Sequence, residues 1–236
     1  LAYKGSAIYI SDKIRDKYNS EFGLNGETVY LTSEIKRKEF KPINKNNPII
    51  TYFGNIRMGR NISLNEIGYA LGGINRDYRL EVYSGENDEK YYKIFDKNPF
   101  IKYCGAVPYS EVVKKMSESD ITVIVEGFKN MDIAQSRYSL STKAADALAS
   151  GVAILTYGSE ECGIVEYMKS TGASVVCTEN NKLRDGILLL INDKELQKRQ
   201  YDNAVKMTEE HHNIVVSCKV FEKVVKEAIE KGKVND

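Results

Sequence analysis

The fold is decided by residues 137–166, which read R-Y-S-L-S-T-K-A-A-D-A-L-A-S-G-V-A-I-L-T-Y-G-S-E-E-C-G-I-V-E. The alanine-rich part predicts a helix capped by Ser139 or Ser141, because a serine oxygen can accept a hydrogen bond from a free amide of the first turn. Gly151 is expected to end this helix with a positive φ. The apolar run 152–155 that follows is typical of a strand buried on both faces of a sheet.

Two charged residues of this helix, Lys143 and Asp146, are three positions apart and share one face. Lys143 falls in the first turn, where free amides and the helix dipole favour an anion, so it predicts a phosphate site. A carboxylate one turn deeper can accept two hydrogen bonds from a ribose diol. Together the two residues indicate a nucleotide site. The alternative is a surface ion pair between them, with a stabilising effect of a few tenths of a kcal/mol.

The composition excludes several classes of protein. Among 236 residues, 34 Lys and Arg nearly balance 33 Asp and Glu, so we expect no nucleic-acid partner. The adjacent His211 and His212 would point apart on a helix, which argues against a shared metal site, and no cofactor is predicted. No apolar run approaches the ~20 residues of a membrane span. Widely spaced cysteines indicate free thiols in a reducing, cytoplasmic compartment; they are Cys104, Cys162, Cys177 and Cys218.

Strand and helix patterns alternate along most of the chain, which predicts an α/β fold with a Rossmann-like parallel sheet and helices on both faces. We assign residues 1–40 to the tail end of an N-terminal domain, 41–48 to a linker with prolines at its ends, and 49–236 to the main, ligand-binding domain with C-terminal helices. A chain that begins on Leu1 is expected to be a fragment. The ligand crevice should lie at the carboxyl ends of the strands. One predicted helix, 62–71, has Gly72-Gly73 as its stop.

The loop after the first strand of the main domain, G54-N-I-R-M-G-R-N, allows three interpretations. Its glycines and Arg57 and Arg60 can bind a phosphate. The spacing also matches a P-loop, with Arg60 in place of the lysine and Asn61 in place of the Ser/Thr. These two residues do not supply the compact ammonium charge of the lysine or the hydroxyl that binds Mg²⁺. The third interpretation is a glycine turn with two solvated arginines. Later in the chain, Glu126 is interpreted as a loop charge, with a carboxylate over the crevice as the alternative.

Taken together, these loops resemble the C-terminal, donor-binding domain of GT-B glycosyltransferases, particularly the retaining family 4, over residues 48–231. The resemblance rests on Y-F-G54-N-I-R-M-G-R60-N, Y-C-G105-A-V107-P, I-V-E126-G and S141-T-K143-A-A-D146-A-L-A-S-G151-V-A-I-L. Family members carry a paired acidic motif, E-x7-E, whose first acid would fall at Tyr138. Asn55 replaces the usual arginine, and Asp146 is one methylene shorter than the family's glutamate.

The resemblance implies roles for three of these four motifs. Arg60 stands at the family's diphosphate-binding lysine, and with Lys143 it would stabilise the leaving group. Asp146 would hold the ribose hydroxyls, and the C-terminal half of a GT-B fold would contact the base through Ala106 and Val107. The remaining expected contacts to the nucleotide-sugar are Gly54, Asn55, Arg57, Ser141 and Thr142.

The function that the resemblance implies is transfer of a sugar from a nucleotide-sugar, such as a UDP-sugar, in polysaccharide biosynthesis. The acceptor, a glycan or a lipid-linked glycan, would bind an N-terminal domain, and the full-length protein would associate peripherally with a membrane. The reaction is expected to be a hexosyl transfer that is retaining and metal-independent, and the isolated fragment is expected to be inactive in transfer. Two alternatives stay open: a P-loop-like NTPase, and a non-catalytic nucleotide-sugar-binding or assembly module, which Tyr138 and the shortened acid would explain.

Overall fold

A computed structural model describes the backbone of residues 6–233 and the side chains of residues 6–230. The chain opens with a small unit in which strands β1 (Ile8–Tyr9) and β2 (Glu27–Thr28) pair in parallel, joined by helix α1 (Asp12–Phe22). Ser11 caps α1 by accepting a hydrogen bond from the amide of Ile14, and Gly23 ends the helix at φ 63°. The unit is separate from the main sheet.

The main sheet has six parallel strands. They are β3 (Ile50–Phe53), β4 (Leu80–Tyr83), β5 (Ile101–Gly105), β6 (Ile121–Val125), β7 (Ala153–Tyr157) and β8 (Val175–Cys177). Their order is β5-β4-β3-β6-β7-β8, and β3 and β6 are fully buried at the centre of the sheet. The connections leave β3 toward one edge and β6 toward the other, so these two neighbours form the switch point where α/β sheets bind ligands. The predicted fold class is confirmed.

Helices cover both faces of this sheet. They are α2 (Arg60–Ile74), α3 (Glu89–Tyr92), α4 (Tyr109–Glu118), α5 (Asn130–Ser136), α6 (Lys143–Ser150), α7 (Gly163–Thr171), α8 (Asn180–Asn192), α9 (Lys194–Glu210) and α10 (Ile214–Lys233), with a 3-10 helix at Lys93–Lys97. On one face, apolar residues of α2 and α8 join the core with β3 and β6. On the other face the small side chains of α6 pack with α7 and α9, as an alanine-rich surface allows.

Two local predictions in this domain are wrong. Helix α5 forms at Asn130–Ser136, where the sequence pattern predicts no helix. Neither Ser139 nor Ser141 caps α6, which begins at Lys143 after Thr142 with no side-chain cap. Gly151 does end α6, at φ 77°, as expected. Cap and stop signals are local, but the segment before α6 is also held by contacts with distant parts of the chain, such as the bond from Ser11 Oγ to the carbonyl of Tyr138.

The predicted glycine stop of α2 is also wrong, because the helix continues through Gly72 and Gly73 to Ile74. Gly72 is needed for packing instead. A Cβ at this position would lie 2.2 Å from the ring of Phe100, whereas a Cβ at Gly73 would meet no atom within 4 Å.

Two alanine substitutions separate these roles. Gly73→Ala should stabilise the protein by up to about 1 kcal/mol, the helix-propensity gain of alanine over glycine. Gly72→Ala should instead destabilise it by about 1–2 kcal/mol, because overpacking exceeds that gain. Urea unfolding of the two variants checks this, and equal stabilisation by both substitutions would contradict the packing role.

Candidate functional site

Lys143 spans the switch point of the sheet. Its side chain runs from the start of α6 to the end of β3, where Gly54 leaves room for it. A Cβ on Gly54 would lie 1.8 Å from Cε of Lys143, and the glycine has a φ of 131°. The Nζ atom lies 5.7 Å from the ring centre of Tyr52. Glycine is therefore required at position 54 for the passage of this side chain.

Beside Lys143 lies a buried ion pair between Arg60, the first residue of α2, and Glu126, the residue after β6. Arg60 donates from Nε and Nη2 to the two carboxylate oxygens of Glu126 over 3.0 and 2.9 Å. The two residues are 8% and 2% exposed. Ser63 Oγ donates to the backbone carbonyl of Glu126 over 2.7 Å. The interpretation of Glu126 as a loop charge is wrong, because a distant arginine neutralises it inside the protein.

This cluster carries one more positive than negative charge, since Arg60 and Lys143 face a single carboxylate. Burial, together with the charge of Arg60, lowers the pKa of Lys143 to about 8, and Glu126 only partly opposes this. Burial also disfavours the charged form of Arg60, but Glu126 keeps its pKa above the ordinary value. A desolvated ammonium next to a second cation is stabilised by an incoming anion.

The start of α6 adds hydrogen-bond donors to the same place. No side chain caps this helix, and its N-terminal residue is Lys143 itself. The first amides of a helix lack intrahelical partners, and they favour negative charge. Thr142 is exposed and Ser141 half-buried at this end, while the carbonyl of Ser141 accepts from the amide of Ala144 over 3.0 Å.

Asp146 does not pair with Lys143. Its Oδ1 atom accepts hydrogen bonds from Ser33 Oγ over 2.6 Å and from Tyr109 Oη over 3.2 Å. Ser33 precedes the linker and Tyr109 opens α4, so three distant segments meet at this carboxylate. Sequence reasoning missed Ser33 and Tyr109 because nothing local marks their contacts with Asp146, which lies 113 and 37 residues away from them in sequence.

The residues predicted to contact the base lie in the loop between β5 and Tyr109. Gly105 ends β5 with a φ of 71°. Ala106 is exposed, whereas Val107 packs on the side of the sheet formed by Phe53 and Tyr83. Because Tyr109 in turn reaches Asp146, the structure brings the predicted base and ribose contacts to one side of the crevice.

Arg57 faces a different part of the crevice from Arg60. It donates to Glu86 from Nε and Nη2 over 2.5 and 3.0 Å, across a cleft of about 680 Å³ that Gly54 and Asn55 help to line. Hydrogen bonds from Arg57 hold the pKa of Glu86 down at about 2. Asn55 is used in the turn itself, where its Oδ1 accepts from the amide of Arg57 over 2.6 Å. Both arginines form ion pairs with glutamates, so the third interpretation of this loop, a glycine turn with two solvated arginines, is wrong.

The same loop lacks the features of a P-loop. The amide of Asn61 donates to the carbonyl of Ile56, and its side chain donates to the carbonyl of Tyr91 over 2.9 Å. Arg60, the counterpart of the P-loop lysine, uses Nε and Nη2 for Glu126, which leaves Nη1 for a ligand. Asn61, the counterpart of the Ser/Thr that binds Mg²⁺, is used inside the protein, so the triphosphate cradle of a P-loop is not formed.

The two histidines lie between α9 and α10, and both approach the hydroxyl of Tyr167. Nε2 of His212 is 2.9 Å and Nδ1 of His211 is 3.3 Å from this oxygen. The argument that they point apart on a helix is wrong, because His211 and His212 follow the last residue of α9. Nδ1 of His212 lies 2.7 Å from the carbonyl of Leu31, so it carries the proton. The two histidines therefore hold Tyr167 of α7 against the end of α9, and His212 also holds the segment that contains Leu31.

The sequence matches no protein-family model, and no curated protein sequence matches it. Solved structures do match. Anabaena HepE in complex with UDP-glucose matches over 93% of this chain and 63% of its own, with a TM-score of 0.70 at 13% identity. WaaG, a glycosyltransferase involved in lipopolysaccharide biosynthesis, matches over 92% and 62%, with a TM-score of 0.65 at 12% identity. S. aureus TarM, in a complex that includes UDP, matches over 92% and 43%, with a TM-score of 0.69 at 13% identity.

These structure neighbours are glycosyltransferases of the GT-B fold. The chain spans less than two thirds of the length of each of them. Among the helices that the structure describes, none has the length and apolarity needed to cross a bilayer. Identities of 12 and 13% establish the fold and not the activity. The chain therefore has the Rossmann-like α/β fold that occurs in GT-B glycosyltransferases.

Proposed function

We propose that this chain is the donor-binding domain of a nucleotide-sugar-dependent glycosyltransferase. The observation that carries the proposal is the excess positive charge of the Lys143, Arg60 and Glu126 cluster, located beside the uncapped start of α6 at the sheet's switch point. A diphosphate carries the negative charge that this site lacks, and it accepts hydrogen bonds from the amide and cationic donors that the site supplies. The UDP and UDP-glucose complexes of similarly folded proteins support the choice of ligand.

Lys143 and the free edge of Arg60 would stabilise the nucleoside diphosphate as it leaves. Negative charge develops on this group in the transition state, so contacts to it lower the barrier and do not serve binding alone. In this proposal no metal is required, because the fixed cations supply what Mg²⁺ supplies in other phosphate sites. Asp146 would accept the ribose hydroxyls on the carboxylate oxygen that Ser33 and Tyr109 leave free.

For the whole protein we propose a retaining hexosyl transfer to a glycan or lipid-linked acceptor in polysaccharide biosynthesis, carried out in the cytoplasm with peripheral membrane association. An N-terminal domain, of which residues 1–40 would be the tail end, would bind the acceptor. The domain described here would then bind nucleotide but transfer sugar poorly by itself. The family resemblance of the four loop motifs supports these finer statements.

Titration calorimetry with UDP, GDP and ADP in EDTA tests the nucleotide site. Wild-type protein should bind at least one nucleoside diphosphate without metal. Asp146→Ala should weaken that binding about tenfold, which corresponds to about 1.4 kcal/mol for a lost hydrogen-bonded carboxylate, while leaving the affinity for inorganic pyrophosphate unchanged. The control Lys206→Ala removes an exposed charge on α9 and should change neither affinity. Failure of all three nucleotides to bind the wild type would refute the proposal.

A second candidate function is a non-catalytic nucleotide-sugar-binding module, and Tyr138 favours it. This residue occupies the position of the family's first acid, and it lies beneath Lys17 of α1 at 5.2 Å from ring centre to Nζ. No carboxylate is therefore supplied from this position. Hydrolysis of the bound donor by a protein that includes the acceptor domain would exclude the non-catalytic alternative.

A further inference from the structure

We propose that Glu126 is the positioning residue of the donor site, where it fixes the guanidinium of Arg60 and holds two cations together for one diphosphate. This inference rests on the proposed function. The family resemblance assigns no such role to the residue, and its neighbours in sequence suggest only a loop.

The first argument is the geometry of the ion pair. Glu126 takes both of its hydrogen bonds from Nε and Nη2 of Arg60, a bidentate arrangement that fixes the plane of the guanidinium. Because Nε and Nη2 are used in this pair, Nη1 of Arg60 is available to a ligand. Glu126 is itself anchored, because its amide donates to the carbonyl of Tyr157 over 3.0 Å and its carbonyl accepts from Ser63. The arginine is thus held by a rigid carboxylate.

The second argument is electrostatic. Arg60 and Lys143 come from helices more than 80 residues apart in sequence, and the charge of Arg60 disfavours the charged form of Lys143. Glu126 is the acidic side chain that compensates this repulsion for both cations. Other ionisable groups near Arg60 are the hydroxyl of Tyr52, which burial keeps protonated, and the thiol of Cys162, whose pKa burial raises, and neither carries charge near neutral pH. The carboxylate of Asp132 lies beside Gly59 and Gly127, but Arg60 donates its hydrogen bonds to Glu126.

If Glu126 had a purely structural role, replacing it would change only the stability of the protein. If it positions the two cations, replacing it should also change the pH at which Lys143 loses its proton. Nuclear magnetic resonance of the ¹³Cε atoms of lysine follows that protonation directly. Lys143→Met identifies the signal by its absence. Glu126→Gln preserves the shape of the side chain and one hydrogen bond while removing the charge. It should lower the titration midpoint of Lys143 by about one pH unit, the effect of losing a nearby opposite charge.

Glu86→Gln is the matched control, because Glu86 also forms a bidentate pair with an arginine at this crevice but faces Arg57. It should leave the Lys143 midpoint unchanged. The double variant Arg60→Met with Glu126→Gln removes both charges, so its midpoint should return toward that of the wild type. This variant has no unpaired buried ion, and it keeps the test valid if Glu126→Gln folds poorly.

The pH dependence of UDP binding extends the test to the ligand. Affinity should fall above the Lys143 midpoint, and in Glu126→Gln this fall should begin about one pH unit lower. An unchanged Lys143 midpoint in Glu126→Gln, or equal midpoints in Glu126→Gln and the double variant, would overturn the positioning role. If the midpoint moves as expected but UDP does not bind the wild type, the proposed function fails while the electrostatic role of Glu126 stands.

Discussion

Lys143→Met should make the protein more stable at pH 7 by on the order of 1–3 kcal/mol while weakening UDP binding at least about tenfold. Methionine keeps the apolar contacts beside Gly54 and Tyr52 but removes a charge that is poorly solvated and lies near Arg60. Stability and binding should therefore change in opposite directions. Such a trade-off is typical of residues retained for function at a cost in folding free energy.

The pH dependence of this effect has a definite sign. The pKa of Lys143 is about 8 in the folded protein and near 10.5 when unfolded. Below pH 8 both states are protonated, so the full destabilisation by the buried ammonium is present. Between about pH 8 and pH 10.5 the folded state binds fewer protons than the unfolded state, so the wild type gains stability with rising pH. The advantage of the methionine variant should disappear across this range.

Urea unfolding at pH 7 and pH 10, together with UDP titration, measures both effects. Lys206→Met is the control, because Lys206 is an exposed lysine on α9 and should change neither quantity by a measurable amount. A Lys143→Met variant that is less stable than the wild type would show that the ammonium group has sufficient hydrogen-bond and charge partners in the ligand-free protein. If this variant binds UDP with wild-type affinity, Lys143 does not contribute to the UDP site.

Arg60→Met should destabilise the protein by about 3–5 kcal/mol, because it leaves the carboxylate of Glu126 buried without its partner. Combining it with Glu126→Leu should recover most of this loss, since two apolar side chains can replace a buried ion pair at little cost. UDP binding should stay impaired in the double variant. The recovery would therefore separate the folding role of the pair from its role in the site.

Arg57→Met provides the comparison for this second experiment. Arg57 makes the same bidentate contact with a glutamate, but its side chain is 52% exposed, compared with 10% for Arg60. The side chain of Glu86 is 4% exposed, but its carboxylate lines the open cleft and also accepts a hydrogen bond from the amide of Asp88, so Arg57→Met should shift the urea midpoint less than Arg60→Met does. Equal losses in Arg57→Met and Arg60→Met would show that burial does not determine the stabilising effect of the pair.

The sequence pattern was sufficient for the fold because strand and helix signals depend on local spacing. The alternation of strand and helix patterns predicts the parallel sheet that forms, and Gly151 ends α6 as expected. Signals that depend on packing partners are misleading. The Gly72-Gly73 pair predicts a helix stop, yet Gly72 makes room for the ring of Phe100, 28 residues away in sequence.

The candidate site shows the same division. Lys143, Asp146 and Arg60 could be selected from the sequence because they fall at the ends of predicted elements, on the ligand edge of a parallel sheet. The sequence could not show that Lys143 turns toward Gly54 and away from Asp146. It also gave no sign that Glu126 is buried, because a carboxylate enters the interior only where a cation from another segment meets it.

The sequence by itself thus determined the alternating architecture and the edge of the sheet at which charged residues gather, since periodicity and strand order are properties of the chain. Only the tertiary structure decided which charges pair, which stay uncompensated and which backbone positions must lack a side chain. Charge compensation depends on distances between segments that are 66 residues apart in the case of Arg60 and Glu126. Those distances exist only after the sheet has assembled.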